Sequence, residues 1–307
     1  MLKYVTRRLL WSIPVLLAVS IITFVLMHLM PGDPWSGCGQ RACPPEIKLL
    51  FEEHYGLSDP LIVQYLRYMS HAIRGDLGPS FFDTRSVNRI IAEGLPVSAA
   101  FGLCALIAGV VVGIPVGIML ALRRNTRMDH FATALIAASI SVPNLVIGVG
   151  LILLFVVKLR LLLQIYDPDD WRTWVLPFIL LWIRMLAVVI RFTRAAALET
   201  LDQDYIRTAR MKGLTDVVIH MRHILRNALL PIVTLLGPLA ADLLTGVLIV
   251  EKIFSIPGLS TYFVDSINSA DYPLLMGVTL FFAVVLIACN TLVDVSYAFI
   301  DPRIALS

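Results

Sequence analysis

Blocks of apolar residues long enough to cross a bilayer alternate along this chain with polar connections. A helix that crosses about 30 Å of hydrocarbon takes about 20 mostly apolar residues. Residues 97–122, 131–157, 174–192, 228–250 and 275–299 each meet that requirement. The N-terminal stretch MLKYVTRRLLWSIPVLLAVSIITFVLMHLM adds a sixth span. Its basic flank precedes about 22 apolar residues, against roughly 7–15 in a signal-peptide core, so it is expected to stay as an anchor. The pattern predicts an all-α integral membrane protein of six transmembrane helices, forming one domain over residues 1–307.

The connections carry patterns of their own. Residues 31–96 are expected to form an external cap. Pro45–Tyr55 reads as a short helix stopped by Gly56, and Asp59–Arg74 as a second whose apolar face carries Leu61, Ile62, Tyr65, Met69 and Ile73. In the connection over residues 193–227, Tyr205–Lys212 suits a helix and Gly213 suits the left-handed residue that ends one. Thr215 or Asp216 can cap the next helix. There Val217, Met221, Ile224 and Ala228 recur at helical spacing beside a polar stripe of Asp216, His220, His223 and Asn227. The prediction is helix, tight turn, helix.

Composition agrees with this reading. The 307 residues are 58% hydrophobic and 15% charged, with a mean hydropathy of +0.82. Soluble domains average about 25% charged residues. A net charge of +3 and the absence of a long basic tract argue against a nucleic-acid partner. The cations nevertheless cluster. Lys3, Arg7 and Arg8 precede the first span, Arg123, Arg124 and Arg127 fill the second connection, and Arg194, Arg207, Arg210, Lys212, Arg222 and Arg226 crowd the fourth. The positive-inside rule makes these segments, and both termini, cytoplasmic. Residues 31–96, with six Lys/Arg against eight Asp/Glu, then fall outside.

Two ionisable residues fall mid-span, Arg184 and Asp242. A lone charge at that depth costs at least about 2.5–3.5 kcal/mol, which favours mutual pairing or exposure to a wet cavity. In the second case Arg184 can hold a substrate carboxylate while Asp242 orients it. Asn290 and Asp294 are spaced to bridge helices near the end of the last span. Cys38 and Cys43 lie close enough in SGCGQRACPP for a disulfide, worth roughly 2 kcal/mol by chain entropy; two free thiols are the competing state. Cys104 and Cys289 read as packing residues. His28, His220 and His223 read as interfacial or solvated, and no spacing signals a metal site. There is no GxxxxGK[ST] phosphate loop and no nucleophile–base pair.

The segments RTARMKGL (207–214) and RHILRNALLP (222–231) resemble the coupling loop of ABC-transporter permeases, in the branch that imports peptides, nickel or glutathione. LKYVTRR at the start, PGDP at 31–34, GDLGPS at 75–80, VEKIFSIPGL at 250–259, DYP at 271–273 and NTLVDVSYAFIDPRI at 290–304 extend the resemblance over nearly the whole chain. LPVS at 95–98 and LGPLAADLLTG at 236–246 look most like the first, B-type, permease of oligopeptide importers. In the loop's general form, glutamate and two alanines precede a glycine by a fixed interval; Arg207, Thr208, Ala209 and Gly213 take those positions here.

The resemblance implies a type I ABC importer permease fold in a bacterial inner membrane. It implies that Tyr205, Arg207, Thr208, Ala209, Arg210, Lys212, Gly213 and Leu214 couple to an ATPase. The implied partners are a second homologous permease, two cytoplasmic ATPase subunits that hold ATP and magnesium, and an external peptide-binding protein, with membrane lipid around the spans. No cofactor is expected on this chain. Dipeptides, nickel or glutathione are the alternative cargoes. A stand-alone channel or ion-coupled carrier using Arg184 and Asp242 is the rival from another class.

Overall fold

The computed structural model describes residues 2–29, 45–83, 85–215, 218–219 and 224–300. Among these there is no β-strand. The helices are α1 (Leu2–Leu29), α2 (Pro45–Tyr55), α3 (Leu61–Ala72), α4 (Val87–Leu122), α5 (Arg127–Ser141), α6 (Asn144–Ile152), α7 (Val175–Leu201), α8 (Asp204–Met211), α9 (Leu225–Leu244), α10 (Leu248–Ile253), α11 (Leu259–Ser269) and α12 (Tyr272–Ile300). Among the described residues, five helical segments are long and apolar enough to cross a membrane. The span expected as one helix over 131–157 is instead a pair, Arg127–Ser141 and Asn144–Lys158, bent by 100°. The bend has a local cause. Pro143 disfavours helical backbone at the residue before it, and Val142 is extended at φ −79°, ψ 127°.

Two compact units partition the chain. The first comprises Leu2–Ala99 with Pro257–Ile287, and the second comprises Ala100–Ile256 with the stretch from Ala288. The first unit contains the cap. Both expected cap helices form, and Gly56 ends α2 at φ +61°. The buried face of α3 matches the expected one only at Tyr65 and Met69. Tyr68 is buried and Tyr65, Met69 and Ala72 pack beside it, whereas Leu61, Ile62 and Ile73 are exposed. The cap core is aromatic: Phe51, Tyr55, Tyr68 and Phe81 join Phe24, Met27, Tyr272 and Met276. Such rings each bury a large area, which suits a small layer. The Tyr55 hydroxyl donates to the Pro79 carbonyl at 2.8 Å, so the ring can be buried without orphaning its polar end. His28, expected to be interfacial or solvated, is half-buried and tilted against Phe24 and Tyr272.

In the second unit, α7 packs on both α5 and α9. Its approach to α4 uses three glycines one turn apart. A Cβ on Gly109, Gly113 or Gly117 would stand 2.6, 2.7 or 2.6 Å from Met185, Val189 or Thr193, so larger residues would push the backbones apart. Small residues at this interval are how membrane helices gain packing where lipid offers no hydrophobic drive. Helix α4 begins at Val87, ten residues before the expected span, and α7 continues to Leu201, so the basic connection starts at Asp202 rather than at residue 193.

Candidate functional site

The basic corner begins where α7 ends. Helix α8 carries Tyr205, Arg207, Thr208, Ala209 and Arg210, and Lys212 caps its C-terminus. Gly213 follows at φ +74°, the left-handed conformation that glycine adopts without a Cβ penalty. Its N–H donates to the Arg210 carbonyl at 2.9 Å, and the Leu214 N–H donates to the Ala209 carbonyl at 3.3 Å. That pair of bonds is a Schellman stop, which satisfies carbonyls the helix end would leave open.

The corner has two faces. Ile206 and Ala209 are buried in a cluster with Ala121, Ala197, Ile219 and Ile224, so α8 is seated on its own unit. Tyr205, Arg207, Arg210, Lys212, Gly213 and Leu214 are exposed, and Met211 is 80% exposed. Basic and apolar groups therefore share one outward surface. Of the next helix, Ile224 and Ala228 are buried as their spacing predicts, and Ile219 is buried although it lies off the expected stripe. Asp216, Val217, His220, Met221 and His223 lie outside the described residues.

Arg184 and Asp242 occupy matching positions along their helices. The same interval, 17 residues, separates Arg184 from the end of α7 and Asp242 from the start of α9. That is about 25 Å of helix in each case. Both side chains are exposed on the chain's surface, and among the described residues no ion pair or side-chain hydrogen bond joins them. Asn290 lies against α9, its Oδ1 standing 2.8 Å from where a Cβ on Gly237 would be. Cys289 is buried but Cys104 is exposed, so only the first is a packed core residue. Cys38 and Cys43 lie outside the described residues.

Two buried carboxylates acquire partners that spacing alone does not connect. Asp129 on α5 is almost fully buried and takes a bidentate pair from Arg194 on α7, Nε to Oδ1 at 2.7 Å and a terminal nitrogen to Oδ2 at 2.8 Å. Such fork geometry is strong and directional. Asp271, the first residue of DYP, accepts the Ser80 hydroxyl and the N–H groups of Phe81 and Leu274, both at 3.2 Å. It thereby ties GDLGPS to DYP within the first unit. Burial pushes its carboxyl above the usual range, and the hydrogen bonds from Ser80 and the backbone oppose that rise. The recurrence of the two motifs in one resemblance is the signal that pairs them.

Apolar spans, a bent span and a Schellman-stopped basic corner define a multi-pass helical bundle of the ABC-importer permease class. The fold is similar to that of the inward-facing MetNI methionine ABC transporter, with a TM-score of 0.54 at 17% identity, over 67% of this chain and 95% of that one. The chain belongs to the family described as the binding-protein-dependent transport system inner membrane component, which matches residues 113–306, and the N-terminal component of the same system matches residues 1–102. It is a multi-pass inner-membrane protein. Similar full-length proteins include the dipeptide transport system permease DppB of Bacillus subtilis (41% identical, covering 100% of this chain and 99% of that one). The oligopeptide transport system permease OppB of Salmonella typhimurium is 36% identical over 99% of each chain. The glutathione transport system permease GsiC of Salmonella paratyphi A is 37% identical, again over 99% of each.

Proposed function

We propose that this chain is the membrane-spanning permease subunit of an ATP-driven peptide importer, and that it passes oligopeptides by alternating access. The observation that carries the proposal is the corner at Tyr205–Leu214. It is seated on its own unit through Ile206 and Ala209 and presents a mixed basic and apolar surface outward. A rigid helix end of that kind suits the groove of a partner protein. In this reading the corner lies in the cytoplasm, as do both termini, and each of two ATPase subunits holding ATP and magnesium grips one permease of a pair. An external binding protein delivers peptide to the cap. Closing of the ATPases shifts the bundle between two packings, and no covalent chemistry falls to this chain.

Dipeptides are the second cargo reading, favoured by the 41% identity to the dipeptide permease against 36% to the oligopeptide one. Measuring which peptides stimulate ATP hydrolysis by the assembled transporter separates the two. Gentle extraction with a tag on this chain, followed by mass spectrometry, tests the assembly itself. Two ATPases and a second permease are expected to copurify, and a chain that transports alone after reconstitution would overturn the proposal in favour of a channel or carrier.

A further inference from the structure

Three donor groups meet at one edge of the cap. His54 lies in the last turn of α2, His71 in the last turn of α3, and Asp76 in the turn after α3. His54 Nε2 and His71 Nδ1 stand 3.9 Å and 3.7 Å from the same oxygen, Asp76 Oδ2. The imidazole rings are 4.5 Å apart between centroids, and all three donor atoms lie within 4.8 Å of one another.

The surroundings hold these donors in place. Asp76 Oδ1 accepts the Gly78 N–H at 3.0 Å, which leaves Oδ2 for the rings. The Asp76 N–H returns to the His71 carbonyl at 3.1 Å, so a single turn of backbone sets the spacing of those two donors. His54 Nε2 is buried and finds no hydrogen-bond partner among the described residues. Leaving such an atom unsatisfied is unfavourable, a penalty that a bound ligand relieves. Gly78 packs closely on the ring, since a Cβ there would stand 2.7 Å from that nitrogen.

We propose that His54, His71 and Asp76 bind a first-row divalent cation of the zinc class, which clamps the end of α2 to the turn after α3. Two imidazole nitrogens and one carboxylate oxygen suit zinc, nickel or copper, whereas magnesium and calcium favour all-oxygen sites. Tetrahedral zinc, with bonds of about 2.0–2.1 Å, holds its donors roughly 3.4 Å apart. The carboxylate therefore has to close on each ring by only a few tenths of an ångström, and the two nitrogens have to approach somewhat further. His71 and Asp76 can rotate to do so, since their side chains are 34% and 55% exposed. A fourth position stays open to water.

The test uses the full chain in detergent with its thiols alkylated, so that cysteine cannot contribute. Zinc is titrated against a chromogenic indicator for wild type, His54→Gln, His71→Asn and Asp76→Asn, with His220→Gln/His223→Gln as a control. Wild type and control are expected to bind zinc with an affinity at least about tenfold above the three cap variants. Zinc is expected to raise the melting temperature of wild type and to leave that of the cap variants unmoved. Equal affinity in wild type and the cap variants would overturn the site, as would a wild type that zinc neither binds nor stabilises. Asp76→Asn changes a half-exposed side chain and keeps its shape, so it carries the test if either histidine variant misfolds.

Discussion

Gly213 stands at φ +74° with nothing within 4 Å of where a Cβ would sit. A substitution there meets backbone strain and no clash. Gly213→Ala is expected to cost about 1 kcal/mol in the turn and to leave most uptake intact. Gly213→Asp adds to that strain a carboxylate on the surface that carries Arg207, Arg210 and Lys212. It is expected to abolish labelled-peptide uptake at an unchanged membrane level on immunoblot, and normal uptake would count against the corner as a coupling element. Asp271 makes the opposite kind of prediction, because its environment is closed. Removing its oxygens in Asp271→Ala orphans the N–H groups of Phe81 and Leu274 and is expected to cost about 1–3 kcal/mol, read as faster hydrogen exchange at those amides. With a folded pKa above the unfolded value of about 3.9, Asp271 binds its proton more tightly in the folded chain. Its contribution to stability is thus fully present below that value and is lost as pH rises through the folded one. In Asp271→Asn the melting temperature is expected to lose this part of its pH dependence.

Among the elements, what could be read from the sequence was local. The spans, the Gly56 and Gly213 stops and the helix at Tyr205–Lys212 follow from periodicity and end signals that act over a few residues. The α3 face did not, because Leu61, Ile62 and Ile73 fit a helical stripe nearly as well as Tyr68 and Ala72; which face is buried depends on Phe51, Tyr55 and Phe81, supplied by other segments. The bend at Val142–Pro143 carried a legible signal in the proline itself, outweighed by the long apolar run around it. The Asp129–Arg194 pair was hidden for another reason: its members are 65 residues apart, and Arg194 resembles any positive-inside cation. Removing one partner leaves a buried charge. Asp129→Asn or Arg194→Gln alone is expected to cost about 3–5 kcal/mol, and the double variant less than the sum, by thermal unfolding in detergent. The glycine series predicts a steric effect. Gly113→Leu is expected to destabilise the α4–α7 contact by about 1–3 kcal/mol or more, since its Cβ already falls 2.7 Å from Val189, whereas Gly150→Ala, which meets nothing within 4 Å, is expected to be tolerated.

At the scale of the whole molecule, the exposed charges at Arg184 and Asp242 say most about assembly. A guanidinium facing lipid at such depth costs at least about 2.5–3.5 kcal/mol, and in this chain neither residue offsets the other. Either a wet path or a neighbouring subunit is therefore expected to cover them in the assembled protein. The two coverings separate experimentally. If the residues line a path, Arg184→Gln/Asp242→Asn leaves the complex intact on copurification and lowers uptake, with acidic and basic peptides affected unequally because a fixed charge pair has been removed. If they lie in a subunit interface, the same variant loses the second permease and all uptake together. The path is the expected outcome. It rests on their matching positions, 17 residues from the end of α7 and from the start of α9, two helices that pack on each other. Unchanged uptake of every peptide by an intact complex would exclude Arg184 and Asp242 from the path.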